Sequence, residues 1–182
     1  TTGPLLFASL KRRSIQGDFR GGRLTSDGGA LLLRELDRSL GLIDGINACI
    51  RDPRNPFFIA HSQRTLLAQR IFGIALGYED LNDHDDLSRD PLLALACGKE
   101  DVEGRQRVRE ADRGKALASS KTLNRLELTP ADAGPRSRYK KIVYHPEKIE
   151  ALLVELFLDS YAAAPKEIIL DFDATDDPLH GN

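Results

Sequence analysis

The sequence has 182 residues, of which 41% are hydrophobic and 30% charged, with a formal net charge of −2, so it is long enough to bury a core in one or two domains. No apolar run approaches the roughly 20 residues of a membrane span, and an apolar patch precedes the first basic cluster, the reverse of a secretory signal. The two cysteines, Cys49 and Cys97, lie far apart without a partner motif, which predicts core packing in a reducing compartment.

The first 76 residues predict an arm or short hairpin followed by three helices. Residues 1–25 are basic, contain the glycine-bearing stretch GDFRGGRL and lack a helical period. The first helix takes Ser26 or Asp27 as its N-cap. Its predicted apolar face consists of Leu32, Leu33, Leu36 and Leu40. A short helix is predicted over 44–50, and the prolines of RDPRNP then separate it from a helix over 62–76.

The middle of the chain predicts short helices separated by polar connections. A helix is expected over 91–97, after the polar run EDLNDHDDLSRDP, because proline suits the first turn of a helix. Residues 99–115 are the most charged part and fit either helix or loop. A further helix is predicted over 119–127, with Leu123 and Leu126 facing inward, and the stretch TPADAGPRSR after it has the composition of a linker.

The clearest helical pattern is HPEKIEALLVELFLDSY. Pro146 fits the first turn, and the carboxylate of Glu147 suits the positive end of the helix dipole. The apolar stripe is formed by Ile149, Leu152, Leu153, Leu156 and Phe157. The stretch KEIILDFDAT then predicts a strand of the buried kind over 167–173. The chain is therefore expected to be mainly α-helical and to enter the first strand of an α/β domain.

Two carboxylates lie at the end of that predicted strand. Asp171 and Asp173 are two residues apart, so both side chains are expected on one face. Carboxylates at a strand end suit a hard cation such as Mg²⁺, which can assist phosphoryl transfer. The net charge of −7 over 142–182 agrees with a cation site. The alternative is a strand-end cap followed by a turn before Pro178, and His180 fits a loop histidine.

The region before the acidic end is basic, with a net charge of +5 over 99–141. With two leucines inward, the 119–127 helix is expected to present Lys121, Asn124 and Arg125 outward. Asn and Arg make bidentate contacts to adenine and guanine edges, and Lys meets phosphate. Further cations lie nearby in sequence: Arg105, Arg107, Arg109, Arg113 and Lys115. The pattern favours nucleic-acid binding, and the alternative is an exposed charged helix.

The run EDLNDHDD has the composition of a metal-binding loop but lacks the glycine and terminal glutamate of a calcium-binding loop. We therefore expect a solvated connection in which Asn82 and His84 satisfy backbone groups.

Three stretches together resemble the N-terminal half of the DDE transposases of bacterial insertion sequences. They are GGRLTSDGGALLLRELDRSLGL, QRIFGIALGYEDLNDHDDLSRDPLLALACG and ILDFDATDDPLHGN, and LASSKTLNRLE also fits the pattern. The resemblance extends from about Asp18 to the last residue, and its GYEDLNDHD and DATDDP–HG motifs are specific.

The resemblance implies a helical DNA-binding region over 1–141 and the start of a ribonuclease-H-like catalytic domain over 142–182. In that family an Asp, a second Asp and a Glu hold two Mg²⁺ or Mn²⁺ ions for DNA strand cleavage and joining. Asp173, in its Asp-Ala-Thr context, matches the first catalytic aspartate and metal ligand, with Asp171 as the second choice. The DNA contacts expected from the outward helix face and the basic residues around it are Lys121, Asn124, Arg125, Arg113 and Lys115. The implied partners are duplex transposon ends and target DNA, and a second copy of the enzyme.

The family pattern places the second aspartate and the glutamate beyond Asn182, so we expect this chain to be an incomplete, inactive piece that binds no ion by itself. A bacterial cytoplasmic, nucleoid-associated location follows from the same resemblance, with no membrane partner. Two alternatives remain. One is a non-enzymatic helical module for DNA binding or dimerisation. The other is a haloacid-dehalogenase-type phosphatase fragment, whose Asp-x-Asp-x-Thr motif DFDAT also fits but which leaves the upstream stretches unexplained.

Overall fold

The computed structural model describes residues 3–19, 27–128, 132–133, 136–137 and 142–170. In this part of the chain the fold is mainly α-helical, with two small antiparallel sheets. None of the helices in it is long and apolar enough to cross a membrane.

An N-terminal hairpin precedes the helices, as one of the two alternatives for this region predicted. Strand β1 (Leu5–Leu10) pairs with strand β2 (Arg13–Gly17), and Phe7 lies opposite Ile15. The hairpin is attached to the first helix by Arg34, whose Nη1 donates to the Ala8 carbonyl at 2.9 Å.

Helix α1 (Gly29–Leu40) and helix α2 (Leu42–Ala48) are separated only by Gly41. Gly41 has a φ of +70°, a left-handed conformation that favours glycine and ends α1. The start of α1 differs from the prediction, because its N-cap is Gly28 and not Asp27. Ser26, the other predicted cap, lies outside the described residues.

The predicted buried face of α1 is wrong for three of its four leucines, whereas the fourth, Leu33, is half-buried against the core. The residues that α1 buries are Ala30, Leu31 and Arg34, whereas Leu32, Leu36 and Leu40 are exposed. The small side chain of Ala30 allows the helix to approach its neighbour closely, and Arg34 reaches the hairpin. A leucine-rich helix has more than one apolar stripe, so periodicity alone does not decide which stripe faces the core.

Helix α3 (Gln63–Ala75) is the centre of the core and begins after Ser62, whose side-chain oxygen accepts from the Thr65 N–H. Three shorter helices surround it: α4 (His84–Leu87), α5 (Pro91–Ala96) and α6 (Ser120–Glu127). Helices α3, α5 and α6 each begin within one residue of the start that the sequence predicts. Helix α4 was not predicted. The charged region before α6 is a loop with one 3₁₀ turn, Glu110–Asp112.

The run predicted as a solvated connection is instead a 3₁₀ turn, Leu81–Asp83, followed by α4. Asn82 is exposed, but His84 is fully buried in the core. Gly73 of α3 makes room for it, because a Cβ at Gly73 would lie 2.7 Å from His84 Cε1.

The C-terminal helix α7 (Pro146–Asp159) follows a two-residue ladder between β3 (Ile50–Arg51) and β4 (Val143–Tyr144). It lies close to α2, since a Cβ at Gly45 would be 2.8 Å from Leu152 Cδ1. None of the α7 side chains is fully buried.

The strand predicted over 167–173 is absent from its described part. Residues 167–170 have no strand pairing, and Ile169 and Leu170 are exposed. A strand is stable only when neighbouring strands satisfy its backbone groups, and no described strand lies beside this segment. Positions 171–173 lie outside the described residues.

Candidate nucleic-acid interface

Helix α6 carries the predicted DNA-contacting side chains, and a carboxylate from another helix caps its N-terminus. Ser119 occupies the N-cap position, but its side chain makes no capping hydrogen bond. The Ser120 N–H donates instead to Asp85 Oδ1 of α4 at 3.0 Å. A carboxylate at this position satisfies an unpaired N–H and interacts favourably with the helix dipole.

The pKa of Asp85 lies below its ordinary value, chiefly because of the hydrogen bond from the Ser120 N–H. The Ser120 side chain adds to this effect, and the positive charges of Lys121 and Lys115 lower the pKa further. Two of the predicted cations therefore lie near enough to Asp85 to affect its pKa.

The segment leading into α6 is attached to α3 by Gln69, which is fully buried. Gln69 Oε1 accepts from the Ala118 N–H at 2.9 Å, and Gln69 Nε2 donates to the Ala118 carbonyl at 2.8 Å. The same Nε2 lies 3.2 Å from His84 Nδ1. One side-chain amide thus satisfies both backbone polar groups of the buried residue Ala118, and it fixes the position at which α6 begins.

The other end of α6 is held by Arg70, the next residue of α3. Arg70 forms an ion pair with Glu127 at the last position of α6. Its guanidinium also donates to the Tyr78 carbonyl at 3.1 Å and to the Glu79 carbonyl at 2.7 Å. Consecutive residues of α3 therefore hold both ends of α6.

The two faces of α6 are divided as the sequence predicts. Leu123 is fully buried and Leu126 is 9% exposed, so the leucines face the core. Lys121 and Arg125 are exposed, and Asn124 is half-buried between them. The exposed side therefore presents two cations one helical turn apart, next to an amide.

The remaining two predicted contacts lie in the loop before α6. Arg113 is exposed and Lys115 is half-buried. The loop is closed by Gly104, whose φ is +63° and whose missing Cβ would lie 2.6 Å from the Lys115 carbonyl carbon. A hydrogen bond from the Leu117 N–H to the Ser88 carbonyl, at 3.1 Å, attaches the end of the loop to α4 and its C-cap.

The predicted catalytic and metal-binding pair, Asp171 and Asp173, lies outside the described residues. In the described ranges, no three His, Cys, Asp or Glu side chains come together in a way that could hold a metal ion.

Sequence reasoning missed the residues that position α6, namely Gln69, Arg70 and Asp85. The hydrophobic pattern of α3 offers one signal, since a glutamine at 69 falls among the buried positions of that helix. Buried polar side chains require partners, so its burial would have pointed to a hydrogen-bonding role.

Comparison with known proteins identifies the family to which this chain belongs. The profile described as "Transposase DDE domain group 1" matches residues 7–182 and so includes both α6 and the DFDAT stretch. Neither the curated proteins nor the solved structures contain a match to this chain. Because the profile covers nearly the whole sequence, the chain belongs to the DDE transposase family.

Proposed function

We propose that this chain binds duplex DNA through the exposed face of α6 and contributes the first catalytic carboxylate of a transposase that cleaves and joins DNA strands. The family match over 7–182 carries the reaction class. The anchored position of α6, with leucines inward and cations outward, supports the DNA contact.

A fixed helix suits base reading because its backbone loses little freedom on binding. Lys121 contacts a backbone phosphate, and Asn124 and Arg125 reach base edges in the major groove. Arg113 and Lys115 add phosphate contacts from the loop, which is continuous with α6. Phosphate contacts supply affinity and set the position on DNA, while the base contacts supply sequence preference.

The carboxylate of Asp173 is the proposed catalytic group, with Asp171 on the same side of the chain two residues earlier. Both would hold Mg²⁺ or Mn²⁺, and such ions stabilise the attacking and leaving oxygens of strand cleavage. The support is the family match together with the spacing of the two aspartates, because the pair lies outside the described residues.

The proposed domain arrangement is also based on the family match. Residues 1–141 form the helical DNA-binding region, and residues 142–182 begin a ribonuclease-H-like domain. The enzyme acts as a homodimer on transposon ends and target DNA. A non-enzymatic DNA-binding or dimerisation module remains the second candidate, favoured by the exposed apolar positions Leu32, Leu36 and Leu40 of α1.

The catalytic assignment is tested by replacing Asp173 with Asn in an active transposase that contains this sequence. Asp173→Asn keeps the shape of the side chain and removes its charge, so strand cleavage should be lost while duplex binding stays close to the wild-type value. Asp171→Asn is the matched variant. If Asp171→Asn abolishes cleavage and Asp173→Asn does not, the catalytic position is Asp171; full activity in both variants contradicts the assignment.

A further inference from the structure

A second group of cations lies at the N-terminal end of α3, away from the residues assigned to DNA contact above. At its centre is His61, which immediately precedes the N-cap residue of α3. The His61 side chain is only 6% exposed, and its Nδ1 has no hydrogen-bond partner among the described residues. A buried polar atom without a partner is costly, and it indicates either strain or a ligand.

Three cations converge on this histidine. Arg54 Nη2 donates to the His61 carbonyl at 3.3 Å, and Arg107 Nη1 donates to the Ala60 carbonyl at 3.4 Å. Lys99 is close enough to affect the His61 ring. Burial is the main cause that lowers the pKa of His61, to about 3, and the charges of Lys99, Arg107 and Arg54 add to it.

The nitrogen Nε of Arg107 is also buried and has no hydrogen-bond partner within the described ranges. A guanidinium Nε–H is always a donor, so this atom requires an acceptor oxygen. Among the described residues, two buried nitrogens therefore lack a partner, and they belong to side chains that the Arg107–Ala60 hydrogen bond brings to the same part of the fold.

The nearby acids do not balance this charge. Asp52 forms a two-point ion pair with Arg54, at 2.7 and 2.6 Å, and so neutralises that arginine. Asp112 approaches Arg107 only to 3.9 Å. Burial lowers the pKa of Lys99, and the charge of Arg107 lowers it further, while Cys97 and Asp101 oppose this. Cations with perturbed pKa values that lie close together are candidates for a functional site.

We propose that His61, Lys99 and Arg107, together with the N-terminus of α3, form a binding site for a phosphate group. The Nε–H of Arg107 and the His61 ring supply donors to its oxygens, and Lys99 supplies charge. The N-terminus of the 13-residue helix α3 adds the partial positive charge that favours an anion. One phosphate would pair both unsatisfied nitrogens and relieve the repulsion between Lys99 and Arg107.

The phosphate belongs to the DNA backbone, an assignment that rests on the proposed function. His61 immediately precedes the N-cap of α3, and about 10 Å of helix rise separates that N-cap from Gln69. Gln69 holds the start of α6, so α3 connects the proposed phosphate site with the helix that is proposed to bind the duplex. A free phosphate ion is the other source of the same chemistry.

The site is tested first with inorganic phosphate, by calorimetry and thermal melting, with chloride at equal ionic strength as the reference. Lys99→Gln removes one of the repelling charges, so without phosphate it should melt at the wild-type temperature or above it. Its phosphate affinity should fall about tenfold, as for loss of a charge-assisted hydrogen bond. Arg107→Gln is the second variant, and Lys148→Gln on α7, an equal loss of charge at an exposed position, should bind phosphate as the wild type does.

The same variants are then titrated with duplex DNA. If Lys99→Gln binds both phosphate and DNA more weakly, and the log–log salt slope of its DNA binding is smaller by about 0.9, the site is assigned to a backbone phosphate. Weaker phosphate binding with unchanged DNA binding assigns it to the free ion. Equal phosphate affinity in wild type, Lys99→Gln and Arg107→Gln, or no saturable phosphate binding by the folded wild type, overturns the site. If the wild type does not bind duplex DNA, the proposed function is contradicted. The phosphate measurements then still decide whether the phosphate site exists.

Discussion

Because Gln69 attaches α6 to α3, we expect Gln69→Met to lower the free energy of unfolding substantially, although it nearly preserves the side-chain volume. Gln69→Met retains the length of the side chain but removes three hydrogen bonds, two to Ala118 and one to His84 Nδ1, at 2.8, 2.9 and 3.2 Å. At about 1 kcal/mol for each bond, the free energy of unfolding should fall by about 3 kcal/mol. The loss is larger if no water reaches the buried backbone groups of Ala118 that the substitution leaves unpaired.

The assay is thermal and urea unfolding followed by circular dichroism. For a chain of this length, about 3 kcal/mol corresponds to a decrease in Tm of about 6–12 °C. Gln106→Met, at an exposed loop position, is the matched control and should change stability by less than about 0.5 kcal/mol. A Gln69→Met variant that unfolds within about 1 kcal/mol of the wild type would contradict the role assigned to this side chain.

Three further results are expected from the same unfolding assays. Leu123→Ala should cost about 2–5 kcal/mol because Leu123 is fully buried, whereas Leu128→Ala, at a position that is 55% exposed, should be nearly neutral. Gly73→Ala should destabilise the protein despite the higher helix propensity of alanine, because its Cβ would collide with the buried His84 ring; a rise in Tm would contradict that packing. The third concerns pH. The unfolded chain takes up a proton at His61 below about pH 6.5, while the folded pKa is about 3, so stability should fall as the pH decreases between these values, by at most about 1.4 kcal/mol per pH unit. His61→Asn should remove this part of the dependence, and an unchanged pH profile in that variant would contradict the assignment.

Much of the helical structure follows from local sequence signals. Ser62 caps α3, Pro91 opens α5, and Pro146 opens α7, because caps and first-turn prolines act on the nearest few residues. The inward position of Leu123 also follows locally, since it depends only on spacing along one helix.

The features that the sequence did not predict depend on residues far away in the chain. The carboxylate that caps α6 comes from Asp85, 35 residues away, and the amide that holds Ala118 comes from Gln69, 49 residues away. The sequence around His84 is acidic, so only the packing against Gly73 places this ring in the core. The predicted buried face of α1 failed for a similar reason, because its neighbours select the stripe around Ala30.

The phosphate cluster illustrates the same limit. His61 and Arg107 lie 46 positions apart and carry no recognisable motif, and only the fold brings Arg107 to Ala60, the residue before His61. The catalytic assignment is the reverse case. Asp173 was assigned by motif and family, and it stays a prediction because it lies outside the described residues.

The salt dependence of duplex binding by the double variant Lys121→Gln/Arg125→Gln tests the central claim most directly. Both side chains are exposed on α6, so their removal leaves the core intact. The control is Lys148→Gln/Lys166→Gln, which removes two equally exposed charges elsewhere. We expect the α6 variant to bind at least about tenfold more weakly and to lose about 0.9 from the log–log salt slope for each phosphate contact removed, while the control keeps the wild-type slope. Equal affinities and equal slopes in the two double variants would contradict DNA binding through α6.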